Sequence, residues 1–571
     1  MTPAPRPPSP LGRQLALCLQ RLDPAAPPAV LHAVRLVSEA MLEGDVCIEL
    51  AAHAAHEELE AWEAALRASA LVGRPGDFAP LILDERRRLY LARYWNHERK
   101  LADDLLARAA APFDDIDAAR LQADLDRLFG APPANGVAAD GQRAAAEKAV
   151  LRRLCVISGG PGTGKTSTVV RLLAALQMHY RGALVIRLAA PTGKAAARMQ
   201  EAVREAKRKL GLDAAILAAI PEQAGTLHRL LGTRPDSPAF RHDRSHPLPL
   251  DVLVVDEASM IDLALMSRLA EALPPHARLI LLGDRDQLAS VEAGAVFGDL
   301  CAGAGTAQIG FADAIALLHK SYRFGADSGI GKLAQAIRRG DAEAVLALLR
   351  TPPAPDLRWR EDGWRDHGAA LALRLHQGYR DYFSAVRARA PVDALFGLFG
   401  RFRVLCAHRE GGAGVEGLNR LLEDNLRNDT ENAPRGSWYH GRPVMVTRND
   451  YPLALFNGDI GIAFDSGGED GLRVYFQGAE GQLRDFAPGR LPPHETVYAM
   501  TVHKSQGSEF DDVLLVLPDT AAPVLNRALL YTAVTRARRH VELWGEAAIL
   551  EQAVSRESAR SSGLKERLWP R

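Results

Sequence analysis

Apolar residues return at spacings of three and four through "PAVLHAVRLVSEAMLEG" (28–44) and "RRLYLARYWNHERKLADDLLARAA" (87–110), the period of amphipathic helices. The pattern predicts a helical domain over residues 1–115, behind a flexible, proline-rich arm in the first ten residues. From about Asp140 the texture changes. "RLCVIS" (153–158), "ALVIRLAA" (183–190), "DVLVVDE" (251–257) and "RLILLGD" (278–284) are nearly unbroken apolar runs separated by helix-like stretches. Such runs are strands of a parallel sheet covered by helices on both faces, so the fold class is α/β. "FRVLCAHR" (402–409), "DVLLVLP" (512–518) and "HVELWG" (540–545) predict a second sheet of the same kind, and the two domains divide near residue 325. Between 441 and 496, short alternating runs broken by glycine predict a small antiparallel barrel inserted in the second domain. The proline-rich stretch 232–250 predicts no more than a loop or hairpin.

At 571 residues the chain is too long for one core, and three or four domains are expected. No predominantly apolar stretch of about 18 residues is free of charge, and prolines stand where a signal peptide would need its apolar segment. A soluble cytoplasmic protein without membrane attachment is the expectation. Cys18, Cys47, Cys155, Cys301 and Cys406 lie far apart with no CxxC pair, which fits neither a disulfide framework nor a metal-ligand set. The 70 basic and 70 acidic side chains balance, which excludes a uniformly cationic surface but leaves room for a local basic groove. From Glu39 to Glu63 there are eight acidic residues and no lysine or arginine. A phosphate backbone would be repelled there, so this region is expected to meet protein, or simply water, rather than DNA.

One stretch changes the picture. Gly159, Gly160, Pro161, Gly162, Thr163, Gly164, Lys165 and Thr166 fit GxxxxGK[ST], and with Ser167 they join a predicted strand to a helix-periodic segment. In that context the glycines let backbone N–H groups curl around phosphates, Lys165 faces the β- and γ-phosphates, and the Thr166 hydroxyl is a ligand for Mg²⁺. Asp256 and Glu257 end the apolar run 252–255, where an apolar strand has no structural use for paired carboxylates. Asp256 is the expected second Mg²⁺ ligand and Glu257 the base for an attacking water, so ATP and Mg²⁺ are the expected cofactors.

Further motifs follow in order: "APTGKAAARM" (190–199), "GTLHRLLG" (225–232), "GDRDQLASV" (283–291), "KSYRF" (320–324), "TVHKSQGSEF" (501–510) and "LLYTAVTRAR" (529–538). Over about 400 residues, from Gln142 to Arg538, the series resembles superfamily 1 helicases, and "GDRDQLASV", "KSYRF" and "HKSQGSEF" resemble its 5′-to-3′ branch. Within that branch, "WYHGRPVMVTRNDYPLALFNGDIGI", "DSGIGKLAQAIRRGD" and "RRLYLARYWNHERKLA" are similar to the RecD family, the alpha subunits of exodeoxyribonuclease V. The resemblance implies two RecA-like P-loop motor domains (116–325 and 326–571), an SH3-like insertion at about 441–496 and an N-terminal partner-binding domain. It also implies RecB-like and RecC-like partner subunits, with single-stranded and duplex-end DNA as substrate and any nuclease site on a partner. Gln142 would read the adenine edge, and Gln287 would sense the γ-phosphate. Arg323 and Arg536 would come from the second domain as arginine fingers. Thr192, Thr226, His228, Thr501 and His503 would hold the DNA strand, and Phe240 would belong to a strand-separating pin. A free-standing helicase, or an ATP-gated assembly module that moves no DNA, are the competing readings. Lys165→Ala is expected to abolish ATP hydrolysis without unfolding the chain, checked by phosphate release alongside circular dichroism.

Overall fold

The computed structural model describes residues 9–569 apart from 114, 132–140, 235, 236, 238, 306–309, 326, 353, 363, 428–435, 468–470, 479, 480 and 559. Most of the expected N-terminal arm, and part of the 232–250 stretch, lie outside the described residues. Ser9 and Pro10, the end of that arm, instead start a helix, Pro10–Leu22, with the Ser9 hydroxyl accepting from the Gly12 amide at 3.0 Å.

The N-terminal region is not purely helical. Between its helices run β1 (Cys47–Glu49), β2 (Val72–Gly73), β3 (Leu81–Leu83) and β4 (Arg88–Leu91), ordered β1-β4-β3-β2 among the described residues. Asp84 makes the β3–β4 turn, its Oδ1 accepting from the Arg86 and Arg88 amides at 2.9 Å, and Arg87 takes a positive φ of 60°. These strands are two to four residues long, too short to display an alternation that could compete with the helical period around them. The following helix, Ala92–Ala110, leaves this sheet and packs on helix Leu263–Ala272. Lys100 pairs there with Glu271 at 2.8 Å, and buried Arg108 donates to the carbonyls of Leu273, Pro274 and Ala277.

The first large sheet comprises β5 (Leu154–Gly159), β6 (Ile186–Ala190), β7 (Ala224–Thr226), β8 (Val252–Val255), β9 (Arg278–Gly283) and β10 (Ile315–Leu318). All pairs are parallel, in the order β10-β5-β9-β8-β6-β7. Every residue of β5, β8 and β9 is buried, as their unbroken apolar runs require. Because β8, β9 and β5 are neighbours, the loops at their carboxyl ends open on one edge of the sheet.

The second half begins its sheet with β11 (Leu357–Arg360) and β12 (Phe402–Cys406). The chain then builds an antiparallel unit from β13 (Pro443–Val446), β14 (Ile460–Asp465), β15 (Leu472–Gln477), β16 (Leu483–Phe486) and β17 (His494–Thr496). It returns through β18 (Ala499–Thr501), β19 (Phe510–Val516) and β20 (Ala537–Trp544), giving a parallel sheet ordered β11-β20-β19-β12-β18. The inserted unit has the order β16-β15-β14-β13-β17, antiparallel throughout, with β16 and β17 as unpaired ends among the described residues. The described residues of 232–250 hold no strand, and their one bridge pairing is Thr233–Phe240. No helix among the described residues is long and apolar enough to cross a membrane.

The last residues depart from the expected second domain. After helix Ala547–Ser555 the chain crosses back to the N-terminal region, where Val46 N donates to Ser561 O at 2.9 Å and Ser561 N to Asp45 Oδ1 at 2.7 Å. Glu98, fully buried, accepts from Arg567 Nε at 3.0 Å and Gly563 N at 2.8 Å, while Arg88 pairs with Glu566 at 2.9 Å. Burial raises the Glu98 carboxyl above its ordinary range, and Arg567 opposes that shift. Trp569 closes the clasp, its Nε1 donating to Asp299 O at 3.1 Å and its ring lying edge-on to Phe311. Arg567→Ala leaves the buried carboxylate without its charged donor and is expected to cost about 2 kcal/mol, read from chemical denaturation.

Candidate active site

The loop after β5 carries the phosphate-binding signature. Gly162 and Gly164 take φ of 77° and 78°, a left-handed backbone that glycine adopts without strain. Thr163 Oγ1 donates to Gly160 O at 2.8 Å and Ser167 Oγ to Gly164 O at 2.8 Å, closing the loop onto helix Lys165–His179. The helix N-terminus and its free amides thus open into a cavity of about 310 Å³. Lys165 Nζ donates to the carbonyls of Gly159 and Gly160, and Thr166 lies on the cavity wall. Gln142 packs against the loop, its Nε2 donating to Thr163 O at 3.0 Å.

Asp256 and Glu257 follow β8 on the same wall. Burial, reinforced by Glu257 and opposed by Lys165, pushes the Asp256 carboxyl up to about 6, and its Oδ1 accepts from Glu257 N at 2.8 Å. Glu257 itself sits at φ 52° and ψ 39°. A left-handed conformation costs a side-chain-bearing residue about 1 kcal/mol or more, and such strain gathers at functional positions. Gln287, from the loop after β9, completes the first-sheet side of the cavity. Its Nε2 donates to Asp284 Oδ2 at 3.1 Å, and its buried Oε1 has no hydrogen-bond partner.

Across the cleft comes Arg536, just after helix Arg527–Val534, buried and donating from Nε to Thr532 O at 3.2 Å. Arg323 has a different origin from the one expected. It lies five residues past β10, the edge strand of the first sheet, and Tyr322 N donates to Gly162 O at 2.8 Å. Its segment is therefore laid over the phosphate loop from the first half rather than carried in by the second. A Cβ built on Gly162 would meet that of Arg323 at 2.3 Å, so only glycine fits beneath it.

The structure also brings in motif residues to which the motifs alone assign no role. Arg198 and Glu509 line the cavity, and Glu509 Oε1 accepts from Arg198 at 3.0 Å and Arg323 at 2.7 Å, while Oε2 faces Arg538 at 3.2 Å. Asp284 and Tyr531 were passed over likewise, and the Tyr531 hydroxyl donates to Asp284 Oδ2 at 3.0 Å. A charge inside a motif is the signal that could have found them, but their partners lie up to 311 positions away along the chain (Arg198 to Glu509).

None of the five expected DNA contacts lines this cavity. Thr192 and Thr226 cap helices, their hydroxyls accepting from Ala195 N at 3.2 Å and Arg229 N at 3.3 Å, and Thr501 Oγ1 accepts from Lys504 N at 3.3 Å. His228 lies edge-on to Phe240 with ring centroids 5.9 Å apart, and burial lowers the His503 pKa. Two of these segments share a neighbour: Phe456 lies 3.9 Å from a Cβ built on Gly193, beside Thr192, and Lys504 donates to Asn457. The loop between β13 and β14 thus touches both halves.

Burial alone would raise Glu509, but Arg198 and Arg323 outweigh it and hold the carboxyl at about 2. Its stabilising contribution is therefore present above the ordinary value of 4.5 and is lost as pH falls through about 2. Glu509→Gln is expected to cost about 2 kcal/mol at neutral pH. The difference from wild type should shrink as pH drops below about 4.5, followed by urea denaturation across that range.

Comparison with known proteins finds matches along most of the chain. The RecBCD enzyme subunit RecD N-terminal domain matches residues 9–90, an AAA domain matches 142–293 and a UvrD-like helicase C-terminal domain matches 496–543. RecBCD enzyme subunit RecD of Mycolicibacterium smegmatis is 44% identical, aligned over 94% of this chain and 93% of that protein. The Haemophilus influenzae protein of the same name is 35% identical over 83% and 79%. ATP-dependent RecD2 DNA helicase of Deinococcus radiodurans is 33% identical over 84% of this chain but 58% of its own length. With the phosphate loop, the paired carboxylates and the facing arginine on one cavity, and this similarity over 94% of its length, the chain belongs to the RecD family of RecBCD enzyme subunits.

Proposed function

We propose that this chain is an ATP-dependent DNA helicase that moves 5′ to 3′ on a single strand, the motor subunit of a RecBCD-type enzyme that opens duplex ends for recombination repair in the cytoplasm. One observation carries the reading: Lys165, Asp256, Glu257 and Gln287 of the first half share a cavity with Arg536 of the second. A nucleotide held there contacts both halves, so its binding and cleavage bias how closely they approach.

In this reading Lys165 and the loop amides bind the β- and γ-phosphates, and Gln142 lies beside the loop for the adenine edge. Thr166 and Asp256 offer hard oxygen donors on one wall, the kind of set that holds Mg²⁺ when phosphate oxygens and water supply the remaining positions. When bound, the ion would neutralise phosphate charge. Glu257 would take the proton of the attacking water, and Arg536 and Arg323 would stabilise charge on the transferred phosphoryl group. Residues 116–325 and 326–571 would be RecA-like halves, and 441–496 an SH3-like module whose loop joins Thr192 and Thr501 at a strand groove. The N-terminal domain would dock RecB-like and RecC-like subunits.

The identity supports the subunit reading over a free-standing helicase, 44% to the M. smegmatis RecD against 33% to RecD2. The test is ATP-driven opening of a short duplex bearing either a 5′ or a 3′ single-stranded tail, with Lys165→Ala alongside. The 5′-tailed duplex alone should open. Opening of the 3′-tailed duplex would reverse the direction, and failure on both, even with partner subunits added, would favour an ATP-gated assembly module.

A further inference from the structure

Asp284 stands one residue past β9, at the carboxyl edge of the first sheet, and is buried. Its Oδ2 accepts from two sides: Gln287 Nε2 at 3.1 Å within the same loop, and Tyr531 OH at 3.0 Å from across the cleft. Tyr531 lies on the helix that leads into Arg536. Its hydroxyl also stands over the phosphate loop, since a Cβ built on Gly160 would meet it at 2.8 Å. The neighbouring backbone is fastened in the same way: Leu288 N donates to Thr532 Oγ1 at 2.9 Å, and Gln506 Nε2 donates to Leu288 O at 2.9 Å.

Burial, with Asp284 and Asp286 adding to it, holds the Tyr531 phenol well above its ordinary pKa, so it stays protonated and serves as the donor to Asp284. The consequence falls on Gln287. One Nε2 hydrogen is committed to Asp284, and the amide also carries a buried Oε1 that has no partner, on a residue that lines the cavity. An acceptor held there suits the O–H of an attacking water.

We propose that Tyr531 is a positioning residue: through Asp284 it orients the Gln287 amide so that Oε1 faces the attacking water while the two halves are closed. The inference rests on reading the cavity as an ATPase site. Parting of the halves withdraws the phenol, leaves Asp284 with one fewer donor and frees Gln287 to rotate, so hydrolysis is gated by closure.

The experiment is steady-state ATP hydrolysis by the full-length chain with saturating single-stranded DNA. Tyr531→Phe should lower kcat about tenfold and change the KM for ATP by less than about twofold, because the phenol acts through Gln287 and not on the bound nucleotide. In a Gln287→Ala background the same substitution should cost less than about twofold more, the non-additivity expected of one relay. Asp284→Asn offers a second entry to the cycle, with the same non-additivity toward Tyr531→Phe. An unchanged kcat, a loss carried by KM, or full additivity overturns the inference while leaving the ATPase reading intact. Wild-type turnover that Lys165→Ala does not abolish overturns both.

Discussion

Everything at the cavity depends on the parallel pairing of β5 with β9 and of β9 with β8. These strands are buried along their whole length, and each fully buried valine, leucine or isoleucine contributes about 1.5–3 kcal/mol. Parallel strands end on the same side, so Lys165, Asp256, Glu257, Asp284 and Gln287 emerge together from a base that cannot shear without exposing its core. The strained backbone of Glu257 is sustainable for that reason: β8, which aims it, is fixed on both flanks by β6 and β9.

On that base the second half is registered by polar contacts, beside Leu288, whose buried side chain joins the second half's apolar core. Glu509 reaches Arg198 and Arg323, Tyr531 reaches Asp284, and Gln506 and Thr532 hold the backbone of Leu288. Hydrogen bonds and ion pairs of this kind are directional and each modest, so they register a defined closed arrangement. The cavity wall carries Lys165, Arg198, Arg323 and Arg536 against Asp256, Glu257 and Glu509. The surplus is positive, as a site for a polyphosphate requires.

The N-terminal region shows where reading along the chain falls short. Its helices were legible because thirteen to nineteen residues display a 3.6-residue period. Strands β1 to β4 were not, since two to four residues carry no period of their own. The C-terminal clasp was invisible for another reason. Glu98 and Arg567 are separated by 469 positions, and neither the buried carboxylate nor the arginine declares a partner until the chain has folded back.

The sequence by itself determined the α/β class, the two parallel sheets, the antiparallel insertion and the phosphate loop, because each rests on local spacing: apolar runs, alternation, and glycines around one lysine. It also placed the motifs in an order that pointed to the family. Tertiary structure alone decided that Arg323 approaches the phosphate loop from the first half, that Glu509 gathers Arg198, Arg323 and Arg538, and that Asp284 is shared by Gln287 and Tyr531. The physical reason is the same in each case. A side chain's charge and shape are written locally, whereas the group that satisfies it is chosen by strand order and by the way two sheets face one another.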